Sequence, residues 1–315
     1  MPPSVLAGYD PKTFDRGPVN LAAAVSRATG APLVIASVYS GGGMMDRLAS
    51  GEFAGDLSDD ARTALDHART DLRALGVEAD LHTVEATSAP RGLAKAMEQI
   101  RPGLVVVGST GRGAVGRVLA GSTAERVIHG APCPVAVAPH GYAFPNEGLQ
   151  TIGVAFAPTD EGREALRAAG LLARSRGARL RAILALDAKL AERQGAGLLA
   201  RRHHEASADV EAGAREAISA EQTLAAAIDE LAPGAEPDVL YRDPAEGLVA
   251  ASTTLDLLVM GSRAYGPTRA VMLGGVSRKV IASAGCPVLV LPRGTEGQLD
   301  ALVAAADEVA PRVPG

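Results

Sequence analysis

One long stretch of this chain occurs twice. Gly108-Ser-Thr-Gly-Arg-Gly-Ala-Val-Gly-Arg-Val-Leu-Ala-Gly121 is echoed by Gly261-Ser-Arg-Ala-Tyr-Gly-Pro-Thr-Arg-Ala-Val-Met-Leu-Gly274, an offset of 153 residues. Pro132-Cys-Pro-Val-Ala-Val-Ala-Pro139 returns as Gly285-Cys-Pro-Val-Leu-Val-Leu-Pro292 at the same offset. Nearer the start, Gly30-Ala-Pro-Leu matches Gly177-Ala-Arg-Leu at an offset of 147, so the second copy gains six residues in the long polar segment after its second strand. A repeat this long marks two copies of one domain. The 315 residues suffice for about two domains of ordinary size.

Within each copy, apolar runs alternate with helical patterns. In the first, Val5 to Tyr9 reads as a short buried strand, followed by a helix carrying Leu21, Val25 and Ala28 on one face and Gly30 at its C-terminal cap. Strands are expected at Leu33 to Val38, Val77 to Val84, Leu104 to Val107 and Val135 to Ala138. Helices are expected at Ser58 to Leu75, Arg91 to Ile100 and Ser122 to His129. Continuous apolar strands between helices predict an α/β fold with a mostly parallel sheet covered on both faces. The second copy repeats this from Ile152 to Leu291. The expected organisation is therefore a domain at 1–145, a second at 149–294, and a tail at 295–315 with one helical stretch, Leu299 to Val309, of no evident role. The boundary falls in Pro139 to Gly148, where Pro and Gly break regular structure.

Composition excludes several classes. The chain is 47% apolar and 3% aromatic, with a formal charge of −5, and no basic tract points to a nucleic-acid surface. Two cysteines, Cys133 and Cys286, cannot build a disulfide framework, and each sits in the same Cys-Pro-Val context. No segment approaches the roughly 20 apolar residues of a membrane span. The N-terminus has no charged region followed by an apolar core, so no signal peptide is read and a cytoplasmic location is expected.

The glycine-rich stretch carries the chemistry. A buried strand ending at Val107 delivers its C-terminal edge to Gly108, and a helix begins near Ser122; glycines admit close backbone approach and a helix N-terminus favours an anion. A Walker loop is excluded, since no Lys follows the second glycine. Gly111-Arg-Gly-Ala-Val-Gly116 satisfies G-x-G-x-x-G, yet the acid that a dinucleotide ribose needs about 20 residues later is absent.

The whole array, Gly-x2-Gly-x9-Gly-Ser after the fourth strand, Asp10 ending the first, and a closing Cys-Pro-Val strand, resembles the universal stress protein family over nearly the full chain, twice. That resemblance implies two tandem flavodoxin-like (Rossmann-like) α/β sandwiches with five-stranded sheets, and ATP, with Mg2+ as an optional companion, at the C-terminal edge of a sheet. By position it implies that Gly108 and Gly111 line the phosphate loop and that Gly121, Ser122 and Thr123 donate to phosphate oxygens. It further implies that Asp10, flanked by Gly8 and Tyr9, contacts the nucleoside, and that the backbone of Val38 meets adenine. Arg112 adds a guanidinium whose fork suits phosphate.

In the second copy Asp10 becomes Ala157, Gly111 becomes Ala264, Ser122 becomes Gly275 and Thr123 becomes Val276. Weak or absent nucleotide binding is expected there, although Gly261, Gly274, Arg263, Arg269 and Arg278 remain. The resemblance implies that this copy pairs with the first as an intrachain pseudodimer; a homodimer of whole chains stays open. A nucleotide-responsive regulatory module, a slow ATP hydrolase and a pseudodimer without nucleotide are the three functional classes in play, and no general base is placed by spacing. His129 and His140 read as satisfied or exposed side chains, and His203-His204 and Asp56 to Asp60 read as solvated polar faces.

Overall fold

The apolar runs become strands, and the structure, a computed structural model, describes residues 3–13, 15–39, 53–109, 121–187, 208–262, 274–295 and 297–309. The first repeat contains β1 (Val5–Tyr9), α1 (Gly17–Thr29), β2 (Leu33–Tyr39), α2 (Phe53–Ala74), β3 (Ala79–Glu85), α3 (Ala89–Ile100), β4 (Leu104–Gly108), α4 (Ser122–Gly130) and β5 (Val135–Ala138). The second contains β6 (Thr151–Phe156), α5 (Asp160–Arg176), β7 (Arg179–Leu186), α6 (Ala208–Leu231), β8 (Glu236–Tyr241), α7 (Pro244–Ser252), β9 (Leu257–Gly261), α8 (Gly275–Ile281) and β10 (Val288–Leu291). A last helix, α9 (Gln298–Val309), follows. Gly30 and Gly177 end α1 and α5 at φ of 65° and 63°, the left-handed cap that glycine adopts without strain.

The strands form one ten-stranded sheet in the order β3-β2-β1-β4-β5-β10-β9-β6-β7-β8, which corrects the expectation of two separate five-stranded sheets. The physical reason lies at the centre. β5 and β10 are buried at every residue and would leave a row of unpaired backbone groups, so they pair with each other. This pairing is antiparallel and all the other strand pairings are parallel. Its register joins Val288 to Val137, Leu289 to Ala136 and Val290 to Val135. Under the 153-residue offset this is a self-complementary register, the internal form of a two-fold dimer contact.

Each half runs β3-β2-β1-β4-β5, the first five strands of the Rossmann order, rather than the 2-1-3-4-5 order of a flavodoxin-type sheet. Two crossovers carry the chain outward from β1, and a third returns it to the other side of β1. The order reverses between β1 and β4, which is where open α/β sheets place ligands.

Both faces are covered. Side chains of α1, α2, α5, α6 and α9 close one layer, and those of α3, α4, α7 and α8 close the other. Each layer contains residues of both repeats. The tail, which the sequence left without a role, docks across them. Leu299, Leu302 and Val303 are buried, Asp300 Oδ2 accepts from Arg167 Nη1 at 2.6 Å, and Gln298 Nε2 donates to the Pro132 carbonyl at 2.9 Å. The connection between repeats is tied along α1. Asn20 Nδ2 donates to the Tyr142 carbonyl at 2.8 Å, and the Arg27 guanidinium lies 4.3 Å from the centre of the Phe144 ring. Among the described residues no helix is long and apolar enough to cross a membrane.

Candidate functional site

A cleft of about 530 Å³ opens at the first repeat's switch point. Nine of the eleven residues singled out from the sequence line it: Gly8, Tyr9 and Asp10 at the end of β1, Val38 in β2, Val107 and Gly108 ending β4, and Gly121, Ser122 and Thr123 at the start of α4. Gly111 and Arg112 lie outside the described residues.

One end of the cleft is built of backbone dipoles. Gly121 is the N-cap of α4, with φ −78° and ψ 167° and no side-chain cap, so the first-turn N–H groups are left for a ligand or water. Ser88, the N-cap of α3, also makes no side-chain cap and lines the same cleft. The hydroxyls of Ser122 and Thr123 stand in that first turn.

The other side is apolar. Ala36, Val38, Leu93 and Val107 form a slot whose shape depends on small neighbours. A Cβ on Gly92 would fall 2.4 Å from Val38 Cγ1, and one on Gly8 would fall 3.1 Å from Leu93 Cδ2. Glycine at both positions lets α3 settle against the sheet without pushing these side chains into the slot.

Asp10 stands exposed at the mouth. Its Oδ1 accepts from the Lys12 backbone N–H at 3.0 Å, and its carbonyl accepts from Thr13 Oγ1 at 2.9 Å, which fixes a one-turn 3-10 helix (Pro11–Thr13) after β1. Tyr9 is buried beneath the Arg16 guanidinium, 5.3 Å from the ring centre.

Of the lining residues not expected from the sequence, Pro18 and Asp15 shape the cleft most. Pro18 stands in the first turn of α1, where its missing N–H costs nothing; a helix begun a turn earlier would need that N–H. The pair Gly17-Pro18 is a legible helix-start signal. Asp15 is buried; its Oδ1 accepts from Gly17 N–H at 2.9 Å and from Gly141 N–H at 3.0 Å. The second contact joins residues 126 apart, and local spacing holds no trace of it. His140 Nδ1 lies 3.2 Å from Asp15 Oδ2 but off the hydrogen-bond direction, so the two touch without a hydrogen bond.

The remaining candidates stay outside the chemistry. His129 Nδ1 bonds the Glu125 carbonyl at 2.6 Å within α4. Both cysteines are buried, and burial pushes each thiol up to about 12, away from nucleophilic use. His203, His204 and the side chains of Asp56 to Asp60 lie outside the described residues.

The equivalent edge of the second repeat is built differently. Thr159 Oγ1 accepts from Gly162 N–H at 3.1 Å, and α5 begins at once with Asp160 and Glu161 in its first turn. A Cβ on Gly162 would fall 2.0 Å from the Ala157 carbonyl, and one on Gly261 would fall 2.7 Å from the Glu161 carbonyl. The helix start thus sits on the ends of β6 and β9. Ala264, Arg263 and Arg269 lie outside the described residues. A cleft of about 400 Å³ beside α5 holds Arg163, Arg167 and Arg293, but these arginines already pair with Glu230, Glu164 and Glu161 at 2.7, 2.6 and 3.7 Å.

Comparison with known proteins bears on this arrangement. The model of the universal stress protein family matches residues 1–139 and again 148–292. The universal stress protein Rv2319c of Mycobacterium tuberculosis is 31% identical over 223 residues, which cover 69% of this chain and 73% of that protein. A putative universal stress protein from Pseudomonas aeruginosa UCBPP-PA14 shares the fold at a TM-score of 0.63 and 17% identity, over 96% of this chain and 98% of its own. A universal stress protein from Archaeoglobus fulgidus, solved in complex with dAMP, aligns with 43% of this chain and 97% of its own at 22% identity and a TM-score of 0.34. Two matched repeats, spanning nearly the whole chain, place it in the universal stress protein family.

Proposed function

We propose that the first repeat binds one adenine nucleotide, with ATP as the leading candidate, and that the chain acts as a cytoplasmic, nucleotide-responsive regulatory module. One observation carries this: the uncapped N-terminus of α4 and the apolar slot of Val38, Leu93 and Val107 face one cleft at the switch point between β1 and β4. Phosphates suit the helix end and its two hydroxyls, and a flat base suits the slot. Asp10, at the mouth, is placed to accept from a ribose hydroxyl. Mg2+ enters this proposal as the counter-ion a triphosphate brings.

The second repeat, from about 149 to 294, serves in this proposal to complete the sheet and both core layers rather than to bind nucleotide. Holding a nucleotide, rather than cleaving it, is the role this proposal assigns to the cleft.

Chromatography of material released from the denatured protein, with thermal unfolding in millimolar ATP and Mg2+, tests the proposal. A released adenine nucleotide, or a clear rise in Tm, is the expected result. Absence of both would overturn it.

A further inference from the structure

Asp15 is a buried charge in the wall of the cleft that neither the sequence motif nor the proposed contacts use. Its side chain is 6% exposed. Oδ1 is held by the N–H groups of Gly17 and Gly141, at 2.9 and 3.0 Å. Oδ2 stands 3.2 Å from His140 Nδ1 and 3.7 Å from the place a Cβ on Gly108 would occupy. The carboxylate therefore lies beside Gly108, at the end of β4, in the cleft that the start of α4 also lines, and its backbone contacts keep it from swinging away.

The turn itself does not demand a charge. A short acceptor at this position, Ser or Asn, would serve the N–H groups of Gly17 and Gly141 equally well. What an aspartate adds is a negative charge, partly shielded from solvent, next to the place phosphates would take. Screening is weak for partly buried charges, so the summed repulsion grows with each phosphate charge the ligand carries. The equivalent residue of the second repeat, where the start of α5 lies on the ends of β6 and β9, is Gly162, without charge.

We infer that Asp15 is a specificity-determining residue that sets how much phosphate charge the cleft accepts, disfavouring ATP relative to adenine ligands of lower charge in the absence of a divalent ion. The inference rests on the nucleotide proposal above, and its test is built to separate the two.

Calorimetry in EDTA would measure adenosine, AMP, ADP and ATP against the parent and Asp15→Asn, which keeps an acceptor for both N–H groups. Adenosine affinity should stay within about twofold, and the gain should grow along the series to about tenfold for ATP, shrinking as salt is added. Asp15→Ser, an alternative turn former, should give the same pattern, and thermal unfolding identifies which variants are folded. Equal shifts for adenosine and ATP, or none for either, in a parent that binds them would overturn this inference alone. A parent that binds none of the four ligands would overturn the nucleotide proposal and this inference with it.

Discussion

The two repeats leave their first strands in the same way and then diverge within seven residues. After β1 the chain makes a 3-10 turn, and α1 begins only at Gly17. After β6 the helix begins at Asp160, the equivalent of Thr13 at the 147-residue offset. Pro18 holds the first helix back, whereas its counterpart Ala165 keeps an N–H and lets α5 start a turn earlier. Thr159, Asp160 and Glu161 then favour that start, and Gly162 lets it press against Ala157. Where a helix begins thus decides whether the same sheet edge opens as a cleft or is covered by backbone. Loss of Asp10, Ser122 and Thr123 in the second copy goes with a covered edge.

This contrast can be broken by exchange. Replacing Thr13–Pro18 with the sequence of Asp160–Ala165 should start the first helix early and abolish nucleotide binding, with the circular dichroism spectrum retained; calorimetry that still detects binding would show that helix start does not control the cleft. Gly162→Ala strikes the covered edge. Its Cβ would meet backbone that cannot turn away, so destabilisation of about 3 kcal/mol is expected in denaturant titration, with the first repeat's ligand affinity unchanged. Gly92→Ala should press Val38 into the slot and weaken adenosine binding about tenfold, while Gly247→Ala, whose Cβ would meet the flexible Arg242 stem at 3.1 Å and Leu240 Cδ1 at 3.4 Å, should leave it intact. The smallest effect is one the repeats share. Cys133 and Cys286 ionise near 12 when folded and near 9.0 when not, so above about pH 9 only the unfolded chain loses these protons and stability falls. At pH 10 each thiol should account for about 1 kcal/mol, removable by Cys133→Ala or Cys286→Ala in pH-dependent unfolding.

Legibility in the sequence followed the range of the interactions. The strands were visible because buried parallel strands are continuous apolar runs, and Gly30 marked a helix end because a left-handed cap selects glycine. Nine proposed site residues meet in one cleft because their spacing encodes the edge of a single sheet. The joining of two sheets into one was not visible: Val135–Ala138 and Val288–Leu291 announce burial but not a neighbour. Asp15 was missed because one of its partners, Gly141, lies far along the chain. The tail helix was read at Leu299 to Val309, but its docking was missed because its apolar face, Leu299, Leu302 and Val303, has no counterpart in the repeat.

The central claim is one binding site per chain, in the first repeat. Gly121 and Gly274 cap equivalent helices with φ of −78° and −62°, backbone that valine also adopts, so Val at either position tests the ligand rather than the fold. Titration of ATP with Mg2+ should give one site per parent chain, none for Gly121→Val, and an unchanged site for Gly274→Val. Two sites in the parent, or loss of binding in Gly274→Val with Gly121→Val intact, would contradict the account.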